Sequence, residues 1–179
     1  MTEQIYSDSG NQREYSRVDA FIPMELKLLD KAQKQYLRSR IAGEAVLADF
    51  LSLPDPEDKV IADWLKMINT KLNYIIRMMT IDHEGFNQMP IRKVNISGGG
   101  MSFLGEMKYS QGDILEFKLI LTMHYPLALF LYGEVIEEIK HNPDFDTFVH
   151  FIAIDDFIRD EIIRFVFEKE REILREKRR

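Results

Sequence analysis

The chain has 179 residues, no cysteine, 45% hydrophobic residues, 30% charged residues and a formal net charge of −6. That length and apolar content suit one domain with a sizeable core and exclude a mainly disordered chain. The lack of cysteine excludes disulfides, thiolate zinc sites and cysteine nucleophiles, and the acidic balance argues against non-specific binding of nucleic acid polymers, so an anionic partner must be met by local arginine or lysine.

Residues 1–12 are polar and read as a loose N-terminal segment with neither a basic nor an apolar leader stretch, which fits a cytoplasmic protein. The longest apolar run, residues 127–132, falls far short of the ~20 residues of a bilayer span. Residues 18–23 read as a short strand stopped by Pro23. Residues 26–52 then predict a helix, because Leu26, Leu29, Leu37, Ile41, Ala45, Ala48 and Leu51 recur at three- and four-residue steps. The stretch Ser52-Leu-Pro-Asp-Pro56 breaks it, and Asp55 and Pro56 suit the cap and first position of a second helix over about 56–79.

That second helix has the clearest periodicity in the chain. Ile61, Leu65, Ile68, Leu72, Ile75 and Met79 form a heptad seam, with Leu65, Leu72 and Met79 at a and the isoleucines at d. In parallel coiled coils, Leu at a with Ile at d disfavours dimers and favours three or four strands. Trp64, Ile76 and Met78 widen the apolar stripe. The seam therefore predicts self-association, and packing of this face on the chain's own core is the competing expectation.

After a polar loop at 81–90, residues 91–155 read as all-β. Strand-like runs at 91–96, 101–104, 114–122, 127–139 and 147–154 are separated by glycine, proline and Asn142-Pro143, which suggests a small barrel or sandwich. From Asp155 the chain turns helical, with an Asp cap and a broad face of Ile158, Ile162, Ile163, Phe165, Val166 and Phe167. Its basic end suits a helix C-terminus.

Enzyme signatures are poor, and the chain reads as non-enzymatic. Asn95-Ile-Ser-Gly-Gly-Gly100 lacks the Lys-Ser/Thr of a phosphate loop and the glycine before Ser97 of a nucleophile elbow. His83, His124, His141 and His150 are scattered, and no metal set emerges. What remains is a pair of short motifs. Arg13 and Arg17 stand four apart before the first strand, and Asn95, Ser97, Gly98 and Gly100 lie between two strands. Arginine pairs bidentately with phosphate or a guanine edge and stacks on purines. Asn95 and Ser97 offer hydrogen bonds, and the glycines permit close approach and φ > 0 geometry. Tyr15, between the arginines, suits either stacking on a base or packing on the β-structure.

In this order and context the two motifs resemble the PilZ domain, a receptor for cyclic di-GMP whose pattern is R-x-x-x-R followed by D/N-x-S-x-x-G. The resemblance covers residues 13–23 and 91–174. It implies an α+β fold: a small antiparallel β-barrel of about six strands with a C-terminal helix and, here, a two-helix insertion after the first strand. Residues 1–23 and 81–179 would form the barrel unit and 24–80 the inserted oligomerisation segment. It also implies cyclic di-GMP as ligand, held by Arg13, Arg17, Asn95, Ser97, Gly98 and Gly100, and an effector protein of unknown identity as partner. Gln12 stands where members often carry a further basic residue, which implies one bound ligand rather than an intercalated pair. Some members with helical insertions form tetramers and have lost the ligand motifs. This chain resembles them in architecture and keeps the motif residues, so a homotetramer through the heptad seam is expected. The alternative is a structural tetrameric adaptor that binds no nucleotide.

Overall fold

The computed structural model describes residues 15–30, 37–43, 56–136 and 145–178. In chain order these form β1 (Arg17–Leu29), β2 (Arg40–Ile41), α1 (Lys59–His83), a 3-10 turn (Phe86–Gln88), β3 (Ile91–Ser97), β4 (Gly100–Phe103), β5 (Ile114–Thr122), β6 (Pro126–Val135), β7 (Thr147–Ile152) and α2 (Asp156–Glu176). All strand pairs are antiparallel. The order β6-β5-β1-β3-β4-β7 closes through a β6–β7 pairing into a six-stranded barrel, and the short β2 adds to β6. Closure leaves those six strands without a free edge.

β1 makes the closure possible. Its first half, through Pro23, pairs with β3, and Met24–Leu29 pairs with β5. Proline has no N–H to give to a ladder, so it is suited to the point where the strand changes partner. There Met24 N–H bonds instead to the Pro90 carbonyl at 2.9 Å. Pro23 thus marks a handover, not the strand end expected from the sequence.

The helix expected over 26–52 is overturned where it can be seen. Residues 26–29 continue β1, and Arg40–Ile41 pairs with β6. Non-local pairing with β5 overrides a helical spacing of leucines. The boundary at residue 24 therefore falls inside a barrel strand. Residues 31–36 and 44–55, which hold the rest of that expectation and Asp55, lie outside the described residues.

The second helix is present but shifted. Its cap is Asp58, whose carboxylate accepts from Val60 N–H at 2.8 Å and Ile61 N–H at 3.3 Å. It runs four residues past the predicted end, to His83, and the expected polar loop contains the buried Phe86. Of the run expected over 127–139, β6 covers the part to Val135, Ile136 N–H still bonds to the Phe148 carbonyl of β7 at 2.9 Å, and residues 137–139 lie outside the described residues. Asp155 caps α2 as expected, accepting from Ile158 N–H at 2.9 Å.

The core fills the barrel from alternating positions. Val18, Ala20, Ile22 and Met24 of β1 meet Val94, Ile96, Phe103, Phe117, Leu119, Leu129, Leu131 and Phe151. α2 packs against β1, β3 and β5 with Ile158, Ile162, Phe165 and Val166. Each such buried side chain contributes roughly 1.5–3 kcal/mol of transfer free energy. A second cluster outside the barrel joins Ile81 and Phe86 to Ala42, Ile120, Ala128 and Phe130. Phe86 and Phe130 meet edge-on at 5.2 Å, and Arg40 lies over the Phe130 ring at 3.8 Å. This cluster fixes the C-terminal end of α1 to the barrel wall.

Two faces of α1 therefore have different fates. Thr70, Asn73, Tyr74 and Arg77 line a cleft against Tyr125 of the β5–β6 turn, and Thr80 and Ile81 continue that stripe. The Tyr74 and Tyr125 rings meet at 6.2 Å. By helical phase the stripe lies opposite the heptad seam. The seam residues Ile61, Leu65, Ile68, Leu72, Ile75 and Met79 are all exposed in the single chain, from 48% at Ile68 to 68% at Met79. Among the described residues no helix is long and apolar enough to cross a membrane.

Candidate ligand site

The β1–β3 ladder brings the two sequence motifs together. Arg17 pairs directly with Ser97, Asp19 with Asn95, and Ser97 with Gly100 across the β3–β4 hairpin. Directly opposed residues share one face of an antiparallel pair. Val18 faces the core, so Arg17, Asp19, Asn95 and Ser97 share the outward face. Arg13 lies outside the described residues.

An open groove of about 600 Å³ runs between this face and the end of α2. Arg17, Asp19 and Asn95 line it on the barrel side; Glu170, Ile173, Leu174 and Lys177 line it on the helix side. Its charges are two cations and two carboxylates. Asn95 Nδ2 donates to Asp19 Oδ1 at 2.6 Å. Ser16 Oγ donates to Glu170, tying the start of β1 to α2.

The remaining motif residues play a different part. Ser97 is 2% exposed, and its hydroxyl donates to the Gly100 carbonyl at 3.1 Å, closing its own hairpin. A Cβ on Gly100 would lie 2.2 Å from the Val149 carbonyl oxygen, so side-chain-free backbone is what lets β4 pair with β7. Gly98 and Gly99 lie beneath the Tyr15 ring. None of the three glycines has positive φ; among described glycines only Gly43, Gly85 and Gly112 do. The expectation that this cluster serves φ > 0 geometry is thus corrected: these residues are glycine for space.

Tyr15 packs on the barrel hairpin, one of the two roles open to it in the sequence. Arg159 of α2 completes this corner: its Nη1 donates to the Gly98 carbonyl at 2.9 Å, and its guanidinium carbon lies 5.7 Å from the Tyr15 ring centroid. Sequence reasoning missed Asp19, Arg159, Glu170 and Lys177. Asp19 was within reach, because period-two alternation puts it on the face of Arg17. The α2 residues carry no local signal; only the packing of the helix brings them here.

No family model matches the chain, and no curated protein matches it. Among solved structures it is similar to a pathogenic protein from Xanthomonas campestris described as a tetrameric PilZ domain self-assembled through a helical bundle. The TM-score is 0.54 at 13% identity, covering 90% of this chain and 92% of that one. The fold is PilZ-like. In a PilZ-like barrel of this kind, the long α1 stands where the two motif halves are parted in sequence, and β1–β3 pairing rejoins them in space.

Proposed function

We propose that this protein is a non-enzymatic, cytoplasmic adaptor that captures cyclic di-GMP at the groove beside β1 and self-assembles through the α1 seam. The observation that carries the ligand reading is the cross-strand register that places Arg17 and Asn95 together on one groove. Arg17 supplies a planar, permanently charged fork for a phosphate or a guanine edge, and Asn95 a donor and acceptor pair. Arg13, four residues before Arg17, supplies the second arginine from the same segment. Engagement of that segment by the ligand is the change passed to an effector protein. Ser97, Gly98 and Gly100 act by shaping the hairpin on which Asn95 and the segment rest.

Isothermal titration with cyclic di-GMP tests the site. The natural chain gives a saturable isotherm, and Arg13→Ala/Arg17→Ala abolishes it; no heat at tens of micromolar protein, or unchanged affinity in the double variant, overturns the assignment. Light scattering tests assembly, with a tetramer as the expected mass.

A second reading rests on the Asn95–Asp19 hydrogen bond and the buried Ser97 hydroxyl. Both motif side chains already have partners within the chain, which favours a tetrameric scaffold that binds no nucleotide. A tetramer giving no titration heat would select it.

A further inference from the structure

On the barrel-facing stripe of α1, one charged group is left unexplained by the fold. Arg77 is half-buried, and its Nε is fully buried with no hydrogen-bond partner among the described residues. Its neighbours on the helix, three and four residues away, are Asn73, Tyr74, Thr80 and Ile81, and none is a carboxylate. Buried donors are otherwise almost always paired, so this position calls for an acceptor. Arg77 also lies in a cleft of about 230 Å³ with Thr70, Asn73, Tyr74 and Tyr125. Unlike the groove beside β1, the cleft is lined by one cation and no anion. The Thr70 hydroxyl donates to the Lys66 carbonyl at 2.8 Å, so Asn73 and Arg77 supply the donors here. The Tyr74 and Tyr125 rings meet at 6.2 Å with their planes 62° apart, and both remain exposed. A third ring can pack on them without displacing the core.

The geometry points to a second binding site, for a small aromatic carboxylic acid, in the cleft between α1 and the β5–β6 turn. Arg77 is the charge partner of the carboxylate, Asn73 a further donor to it, and Tyr74 and Tyr125 pack on the ring. The volume lies below the roughly 300–1,000 Å³ of drug-sized pockets, which suits a ligand of one ring. The cleft shares no lining residue with the groove beside β1, so this site stands apart from the cyclic di-GMP reading. It also lies opposite the seam by helical phase, so self-association through the seam leaves it open. Tyr125 belongs to the barrel and Arg77 to α1, and a ligand held by both fastens the middle of the helix to the barrel. Without it, the Ile81–Phe86 cluster holds only the C-terminal end.

Titration of phenylacetate into the full chain tests this, read by the amide shifts of Asn73, Tyr74 and Tyr125. Benzyl alcohol, a ring without the charge, and acetate, a charge without the ring, are the controls. The natural chain saturates with a dissociation constant of about 1 mM, a range open to a single-ring ligand. Each control binds at least about tenfold more weakly. Arg77→Met, similar in length but uncharged, loses about tenfold or more in affinity for phenylacetate, the scale of a charge-assisted hydrogen bond. Thermal melts first confirm that the variant folds, and the comparison of probes on the natural chain decides the outcome where it does not. Shifts that fail to saturate overturn the site and leave Arg77 satisfied by water alone. Acetate or benzyl alcohol binding as tightly as phenylacetate, or undiminished binding by folded Arg77→Met, overturns it as well.

Discussion

The side-chain amide of Asn95 donates a 2.6 Å hydrogen bond to the carboxylate of Asp19, its direct partner across the β1–β3 ladder. A negative charge therefore stands beside Arg17 in the groove proposed to take a dianionic ligand. Two unit charges about 4 Å apart interact by about 4 kcal/mol at an effective dielectric of 20, and by about 1 kcal/mol in water. Asp19 is exposed, so the smaller figure applies. Asp19→Asn removes the charge and preserves a hydrogen bond to Asn95. It is expected to tighten cyclic di-GMP binding by about fivefold at low salt, with the gain shrinking as salt rises. Titration at two ionic strengths reads this, and a weaker complex would show that Asp19 aids capture.

Arg17→Ala acts in the opposite direction. Charge-assisted hydrogen bonds are worth about 1.5–3 kcal/mol each, so binding should weaken by about one to two powers of ten. Arg17→Lys should not restore it, since an ammonium has no planar fork. Full recovery by lysine would assign Arg17 a purely electrostatic role.

The exposed seam of α1 gives a test of assembly. Ile68→Asp puts a charge in the middle of the seam, where the single chain leaves the position 48% exposed. The barrel should fold as before, and the mass in light scattering should fall to the 21.1 kDa of one chain. A variant that keeps the natural mass would remove the seam from the interface.

Gly100 gives a test of barrel closure. Gly100→Ala drives a methyl group to 2.2 Å from the Val149 carbonyl oxygen, and backbone on both sides leaves nothing to rotate away. Overpacking of this kind costs about 1–3 kcal/mol. For a chain of this size that is a fall in Tm of about 3–10 °C, measurable by calorimetry. Gly99→Ala, which meets only the Tyr15 ring, should be milder.

Among the described residues, Tyr109 and Tyr132 hold their protons more firmly than usual. Burial raises the Tyr132 pKa, and the charge of Glu116, which accepts its hydroxyl at 3.1 Å, raises it further. Burial likewise raises Tyr109, with Glu106 adding to the rise and Arg92 opposing it. The unfolded chain ionises these groups at the ordinary value of about 10. Their contribution to stability is thus fully present below about pH 10 and is lost as pH rises through the folded values. Spectrophotometric titration should show late ionisation that Tyr109→Phe and Tyr132→Phe each reduce, and Glu116→Gln should bring Tyr132 down.

The barrel was largely legible because its punctuation is local. Strand β5 has the predicted limits, set by the turn at Gly112-Asp113 and by Pro126. Asp155 announces α2 by capping chemistry that needs no tertiary context. The second half of β1 was illegible for a physical reason. Met24-Glu-Leu-Lys-Leu28 alternates as a strand does, but the same leucines also fit the three- and four-residue steps of a helix, and only pairing with the distant β5 decides between the two. The motif spacing singled out Arg17 and Asn95, which line the groove, and Ser97 and Gly100, whose hairpin hydrogen bond and close approach to β7 only the strand pairing reveals. Arg159 reaches the site only because α2 packs back on the barrel.

The orientation of α1 on its own barrel has a consequence for valency. The helix turns its Thr70–Arg77 stripe inward to Tyr125 and its seam outward, so a bundle built on the seam carries every barrel on its rim. Each added copy then adds one groove at the periphery. An effector with two linked docking segments would gain by avidity, since its second contact proceeds at the effective concentration set by the linker. Dissociating the bundle would abolish that gain while leaving every single site intact.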